Sequence, residues 1–219
     1  MLLDAVRIGA VDPATAIADY ARLLGVAPTP RDDGGARFAL DRGAIEIVRG
    51  DADAIRSLRF HVSDDEAPPD DFQGAAIEIA PGVPPPPPGG AGVAIDHVVI
   101  RSVDAERAIA LWRDRCGLRL ALDRPFPDRG LRLVFFRTNG ITLELATPLP
   151  APDDRARPDA LHGVSYRVAD LPLVRERLLA GGVDVSEIRT GMRPGTIVAT
   201  VRSHTARVPT LLLQRVSDV

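Results

Sequence analysis

The amino-acid sequence predicts an α+β fold built from repeated βαβββ modules, and three observations predict it. The two halves of the chain repeat in one register, short alternating segments follow each helical stretch, and a proline run separates the halves. The first copy reads Val6-Arg7-Ile8-Gly9-Ala10-Val11-Asp12, then Ala16-Ile17-Ala18-Asp19-Tyr20, then Gly25-Val26. The second reads Val98-Val99-Ile100-Arg101-Ser102-Val103-Asp104, then Ala108-Ile109-Ala110-Leu111-Trp112, then Gly117-Leu118. The spacing from Asp to Gly is the same in both.

Each part of the unit has a local cause. An Asp that closes an apolar strand caps the helix after it by accepting from its first N–H groups. Pro13 suits a first helical turn, and Gly25 and Gly117 suit left-handed helix ends. Alternating stretches then predict strands over 36–40 and 44–48 in the first copy, and over 131–137 and 141–146 in the second. A third copy opens at His162-Gly163-Val164, with Asp170 as cap, Pro172 in the first turn and Gly181-Gly182 at the end. Its strands are expected over 183–188, 196–202 and 210–216. A fourth, eroded copy fills 58–79, with outer strands over 58–62 and 75–79. The acidic, proline-bearing stretch 63–71 between them has no room for a full helix.

Pro84 to Pro88 with Gly89-Gly90 donates almost no backbone hydrogen bonds and reads as a linker; a proline-rich ligand for a partner domain is the sharper alternative. The expected organisation is a degenerate N-terminal pair of modules over 1–80, a linker over 81–93, and a C-terminal pair over 94–219.

Composition bounds the function. The chain has 219 residues, 45% of them hydrophobic, which suffices for a packed core without staples. Its single cysteine, Cys116, lies in an apolar helical pattern and reads as a core side chain, not a nucleophile. A net charge of −3 argues against nucleic acid as a partner. The N-terminal segment lacks the basic flank and apolar run of a signal peptide, and no apolar run is long enough for a membrane span. The expectation is a soluble, cytoplasmic protein with a small-molecule ligand.

Four histidines occur, and two of them, His97 and His162, open the first strands of the second and third copies. Glu144 lies inside the apolar strand Ile141-Thr142-Leu143-Glu144-Leu145, where a carboxylate needs a cation, a donor or solvent. Ile95 to Ile100, Ala108 to Trp112, Gly117-Leu118, Gly140 to Leu145 and Leu161 to Val164 together resemble the vicinal-oxygen-chelate superfamily of glyoxalase, bleomycin-resistance and extradiol-dioxygenase proteins. The resemblance covers 94–216 well and 1–50 more weakly. It implies a glyoxalase/dioxygenase-like fold of curved mixed sheets, and a divalent metal (Zn, Ni, Mn, Co or Fe) held by His97, Glu144 and His162. The family's fourth ligand falls on Leu211, which cannot coordinate, or on Gln214 in another register. The metal-site reading stands against two partly buried histidines and a carboxylate paired with arginine.

The implied activity is metal-dependent lyase or isomerase chemistry, with Glu144 moving a proton and His204 as a further catalytic candidate. A loop histidine without a chemical role is the plainer reading of His204. Dioxygenase chemistry is disfavoured by Leu211. The alternative from another class is a sequestering, resistance-type binding protein of the same fold. The resemblance also implies a homodimer. In the N-terminal half Ala5, Glu46 and Arg56 stand at the ligand places, so no metal set is expected there; Glu46 with Arg56 is a candidate ion pair. His61 is expected to be structural.

Overall fold

The computed structural model describes residues 1–63 and 67–216. In chain order these form β1 (Leu2–Ala10), α1 (Pro13–Leu24), β2 (Thr29–Pro30), β3 (Ala36–Ala39), β4 (Ala44–Arg49), β5 (Ala54–Val62), β6 (Ile77–Pro81), β7 (Val93–Arg101), α2 (Ala105–Ile109), β8 (Arg119–Phe126), β9 (Leu131–Arg137), β10 (Thr142–Pro148), β11 (Ala160–Val168), α3 (Leu171–Ala180), β12 (Arg189–Thr190), β13 (Thr196–Val201) and β14 (Thr210–Arg215). They make two curved mixed sheets with strand orders β2-β3-β4-β1-β5-β6 and β12-β13-β14-β11-β7-β10-β9-β8. The α+β class read from the repeat is the observed one.

Asp12 accepts from the N–H groups of Ala14 and Thr15, Asp104 from those of Glu106 and Arg107, and Asp170 from that of Leu173. Gly25 and Gly117 are left-handed, with φ of 68° and 67°. The helix after Asp104 continues as a π-helical turn over Ala110–Arg115, in which Cys116 N–H reaches the carbonyl of Leu111. Within a module the first and last strands pair in parallel, as seen for β5 with β6, β7 with β10 and β11 with β14.

Two expected strands come out differently. Over 183–188 only a single bridge, Val185 to Val201, and the short β12 beyond it remain. The Asp184 N–H is taken by the Ser203 hydroxyl and the Thr200 N–H by the Ser186 hydroxyl, so no continuous ladder forms. The eroded copy keeps β5 and β6 as a parallel pair. Residues 64–66 of the acidic stretch between them lie outside the described residues. The proline run over 84–88 carries no helix or strand. Among the described residues no helix is long and apolar enough to cross a membrane.

Two compact units result. The first comprises Met1–Ala5, the described part of Ser57–Pro85, and His97–His162. Its core centres on the fully buried Trp112, whose ring lies 6.0 Å from Phe60 and 5.7 Å from Phe72, centroid to centroid. Arg107 fastens the segment before β11, donating to the carbonyls of Arg155 and Arg157 and to the Asp159 carboxylate at 3.0 Å. Burial pushes the Asp159 carboxyl up, against the lowering influence of Ser102 and Arg107.

The second unit comprises Val6–Arg56, Pro86–Asp96 and the described part of Gly163–Val219. Tyr20 is buried beside Phe38, and its hydroxyl donates to the Thr205 carbonyl at 3.0 Å. Arg177 of α3 donates to the carbonyls of Arg22 and Leu23, satisfying acceptors that the end of α1 leaves open.

Replacing Arg107 removes the countercharge of a buried carboxylate, which costs about 3 kcal/mol. Arg107→Ala is therefore expected to lower the urea midpoint strongly, and Arg107→Ala/Asp159→Asn to recover part of the loss. Equal destabilisation by the single and double variants would contradict the pairing.

Candidate functional site

The parallel register of β7 and β10 sets Thr142 opposite His97 and Glu144 opposite Val99. Paired residues share a sheet face, so His97 and Glu144 are diagonal neighbours on one face. Their side chains meet, with His97 Nε2 3.7 Å from Glu144 Oε2, and each is about one-sixth exposed (16% and 17%). The antiparallel register of β9 adds Arg137 opposite Thr142 and Phe135 opposite Glu144. Arg119 of β8 stands opposite Arg137. One row across this face therefore reads Arg119, Arg137, Thr142, His97, and the next holds Phe135, Glu144, Val99. Arg137 donates to the Thr142 hydroxyl. The result is an acid–imidazole pair flanked by guanidinium groups and half-buried apolar side chains.

His162 lies in the same unit, but its strand gives it another phase. Along β11 it is in phase with the buried Val164, Tyr166 and Val168. Counting back from the capping residues, His97 stands seven positions before Asp104 and His162 eight before Asp170. With a period of two, that single residue sends a side chain to the opposite face. Among the described residues no group of three or more His, Cys, Asp or Glu side chains is arranged to hold a metal ion. Of the donors implied by the resemblance, His97 and Glu144 meet, and no third His, Cys, Asp or Glu joins them among the described residues. Two donors fall short of the three protein ligands usual in catalytic metal sites, so the residues do not fit that set.

Gln214, the alternative fourth ligand, already uses its side-chain oxygen, which accepts the Leu171 N–H at 2.7 Å at the start of α3. Leu211 pairs with Ser165 in the β11–β14 register. His204 belongs to the second unit, in a left-handed conformation (φ 60°), with Nδ1 2.7 Å from the Ser203 hydroxyl and Nε2 3.8 Å from Asp19. His61 has Nδ1 3.2 Å from the Pro81 carbonyl and Nε2 3.7 Å from Asp4.

Glu46, at the place that Glu144 takes in the second copy, is 1% exposed and surrounded by arginines. Arg37 lies at 2.7 Å, Arg31 at 3.0 Å and Arg7 at 3.3 Å. Arg56 is not its partner; its guanidinium points to the Arg49 carbonyl. Arg137 and Arg119 escaped the sequence reading because arginines are scattered throughout the chain. Alternation from Leu133 through Phe135 to Arg137 was the available signal, but it becomes informative only once the register with Glu144 is known.

Residues 96–200 match the model of the Glyoxalase/Bleomycin resistance protein/Dioxygenase superfamily. This stretch of the chain is similar to the members of that superfamily. Among curated proteins, an ethylmalonyl-CoA/methylmalonyl-CoA epimerase of Cereibacter sphaeroides is 27% identical over 97 residues, covering 42% of this chain and 72% of that protein. Among solved structures, a substituted 4-hydroxymandelate synthase of Streptomyces coelicolor aligns with a TM-score of 0.72 at 13% identity, covering 100% of this chain and 93% of its own. BphC, a halotolerant catechol dioxygenase, aligns with a TM-score of 0.69 at 15% identity, covering 100% of this chain and 87% of its own. At these identities the structural likeness concerns the fold. It extends the glyoxalase/dioxygenase-like architecture over the whole chain, including the half outside the superfamily match.

Burial, and then the positive charge of Arg101, hold the His162 imidazole below the ordinary histidine value. The unfolded chain then binds more protons than the folded one below about pH 6.5, so this side chain's contribution to stability is full above that pH and is lost as pH falls. In NMR titration His162 should protonate at lower pH than a model histidine, and His162→Ala should flatten the acid-side loss of stability. An unchanged pH profile would count against this. Cys116 is 6% exposed, and burial pushes its thiol up to about 11. The folded protein should therefore resist thiol alkylation at pH 7 and react fully in denaturant.

Proposed function

We propose that this chain is a glyoxalase-like enzyme of the lyase or isomerase type, moving a proton at a carbon beside a carbonyl of a small oxygenated molecule. The observation that carries this reading is the convergence of Glu144 and His97 on one half-shielded sheet face. A carboxylate and an imidazole in contact form a unit able to accept a proton and pass it on or return it. Glu144 is the proton acceptor. His97, on the neighbouring strand, orients the carboxylate and relays the proton. Removing a proton beside a carbonyl leaves negative charge on oxygen, and fixed cationic donors stabilise such charge in a dry site. Arg137 stands in the row of His97 and supplies a guanidinium of the right sign. His204, with Asp19 and Ser203 beside it, is assigned no step. Similarity to a protein named as an epimerase of malonyl-type CoA esters supports proton transfer as the reaction class.

A second reading is favoured by the donor set itself. With two converging donors in place of three, the same face suits reversible binding of an oxygenated ligand without turnover. The two readings part on one experiment. Methylmalonyl-CoA, ethylmalonyl-CoA and a series of small 2-oxo acids are incubated with the protein in D₂O, and loss of the α-proton is followed by NMR. The enzyme reading expects catalysed exchange for at least one of them, reduced about 10²-fold or more by Glu144→Gln. It also expects His97→Ala to slow exchange, and His162→Ala to leave it near wild type. Saturable binding with no exchange above background would leave the binding-protein reading in its place.

A further inference from the structure

A cavity of about 370 Å³ lies within the second unit, lined by Asp41, Gly92, Val93, Ala94, Arg167 and Arg215 among others. Its walls are fastened. The two carboxylate oxygens of Asp41 accept the N–H groups of Ala91 and Gly92 at 2.8 and 2.9 Å, while the Asp41 N–H donates to the Val93 carbonyl. Ile95 N–H donates to the Arg42 carbonyl. The turn after β3 is thereby tied to the start of β7.

The charges in this cavity do not balance. Arg167 and Arg215 bring two guanidinium groups to its lining against the one carboxylate of Asp41, while Arg42 and Asp96 act on Arg167 from nearby with opposite signs. Asp41 is committed to backbone donors, and Asp96 faces Arg215 at 3.6 Å. The guanidinium of Arg167, on β11 opposite Leu213 of β14, makes no hydrogen bond or ion pair among the described residues. Burial, then the like charges of Arg42 and Arg215, lower its affinity for its own proton. A half-buried guanidinium among like charges is costly to the empty protein. Its planar fork matches the paired oxygens of a carboxylate or phosphate, and such bonds are among the stronger ones available to a side chain.

We propose that the cavity bounded by Arg167, Arg215 and the Asp41 turn is an oxyanion-binding site, taking the phosphate or carboxylate group of a small molecule. Arg167 is the principal ligand. Arg215, steadied by Asp96, is the second, and the Asp41 turn keeps the cavity open.

The probes are inorganic phosphate and acetate, titrated into the full-length protein at constant ionic strength against chloride, with binding read by calorimetry and by the rise in melting temperature. Saturable binding of at least one probe is expected, at least tenfold weaker in Arg167→Met and unchanged in Arg202→Met, which alters an exposed arginine beside Asp184. A preference for phosphate assigns the site to phosphorylated ligands, and a preference for acetate to carboxylates. Without probe, Arg167→Met should melt at the same temperature as wild type or higher, because it removes an uncompensated charge. Arg167→Lys should retain weakened binding. The proposal fails if neither probe saturates the wild type, or if Arg167→Met binds like wild type. It fails equally if Arg167→Met and Arg215→Met both melt lower without probe, since those arginines would then be structural. None of these readouts depends on chemistry at Glu144, so this site and the proposed reaction stand or fall separately.

Discussion

The parallel pairing of the first and last strands within a module is the constraint on which the rest depends. Parallel neighbours cannot be closed by a hairpin; the chain must cross over and return, here through a helix and intervening strands. Where the return runs through a helix, it starts at an Asp that stops the strand and caps that helix, as Asp12, Asp104 and Asp170 do. The return brings the last strand beside the first in a definite register. In the module of β7 to β10 that register is what sets Glu144 diagonally from His97. A one-residue slip would turn the carboxylate toward the opposite face.

The same place in the module has two outcomes in this chain. Glu144 stays partly exposed beside an imidazole, where a ligand can reach it. Glu46 is sealed at 1% exposure among Arg7, Arg31 and Arg37, its charge met by guanidinium groups from its own unit. A buried carboxylate so surrounded is committed to structure, because removing its partners would strand the charge. In the eroded module β5 and β6 keep the parallel pairing of first and last strands. The pairing that a module needs is that of its outer strands.

Much of this was legible in the sequence because it is local. Capping Asp, left-handed Gly and strand alternation act within a few residues, so the repeat could be read off the chain. His97 and Glu144 were named together only through the family resemblance, because they lie far apart in the chain and no local pattern joins them. His162 was read as their companion from its position at a strand start, and its phase relative to Asp170 differs from that of His97 relative to Asp104. Gln214 looked like a spare ligand. Its oxygen in fact caps α3, a contact over 43 residues that no local pattern announces. Arg137, Arg107 and Arg167 were indistinguishable from the other arginines until their neighbours were known.

The sequence by itself determined the class of fold, its modular repeat, the ends of its helices and the carboxylate inside β10. These follow from backbone preferences and from the cost of leaving polar groups unmet, which a residue and its near neighbours decide. Tertiary structure alone decided which face each chemical group takes, which arginine meets which carboxylate, and which guanidinium is left without one. Those outcomes depend on register and on contacts between residues far apart in the chain, where a shift of one position exchanges the two faces of a sheet.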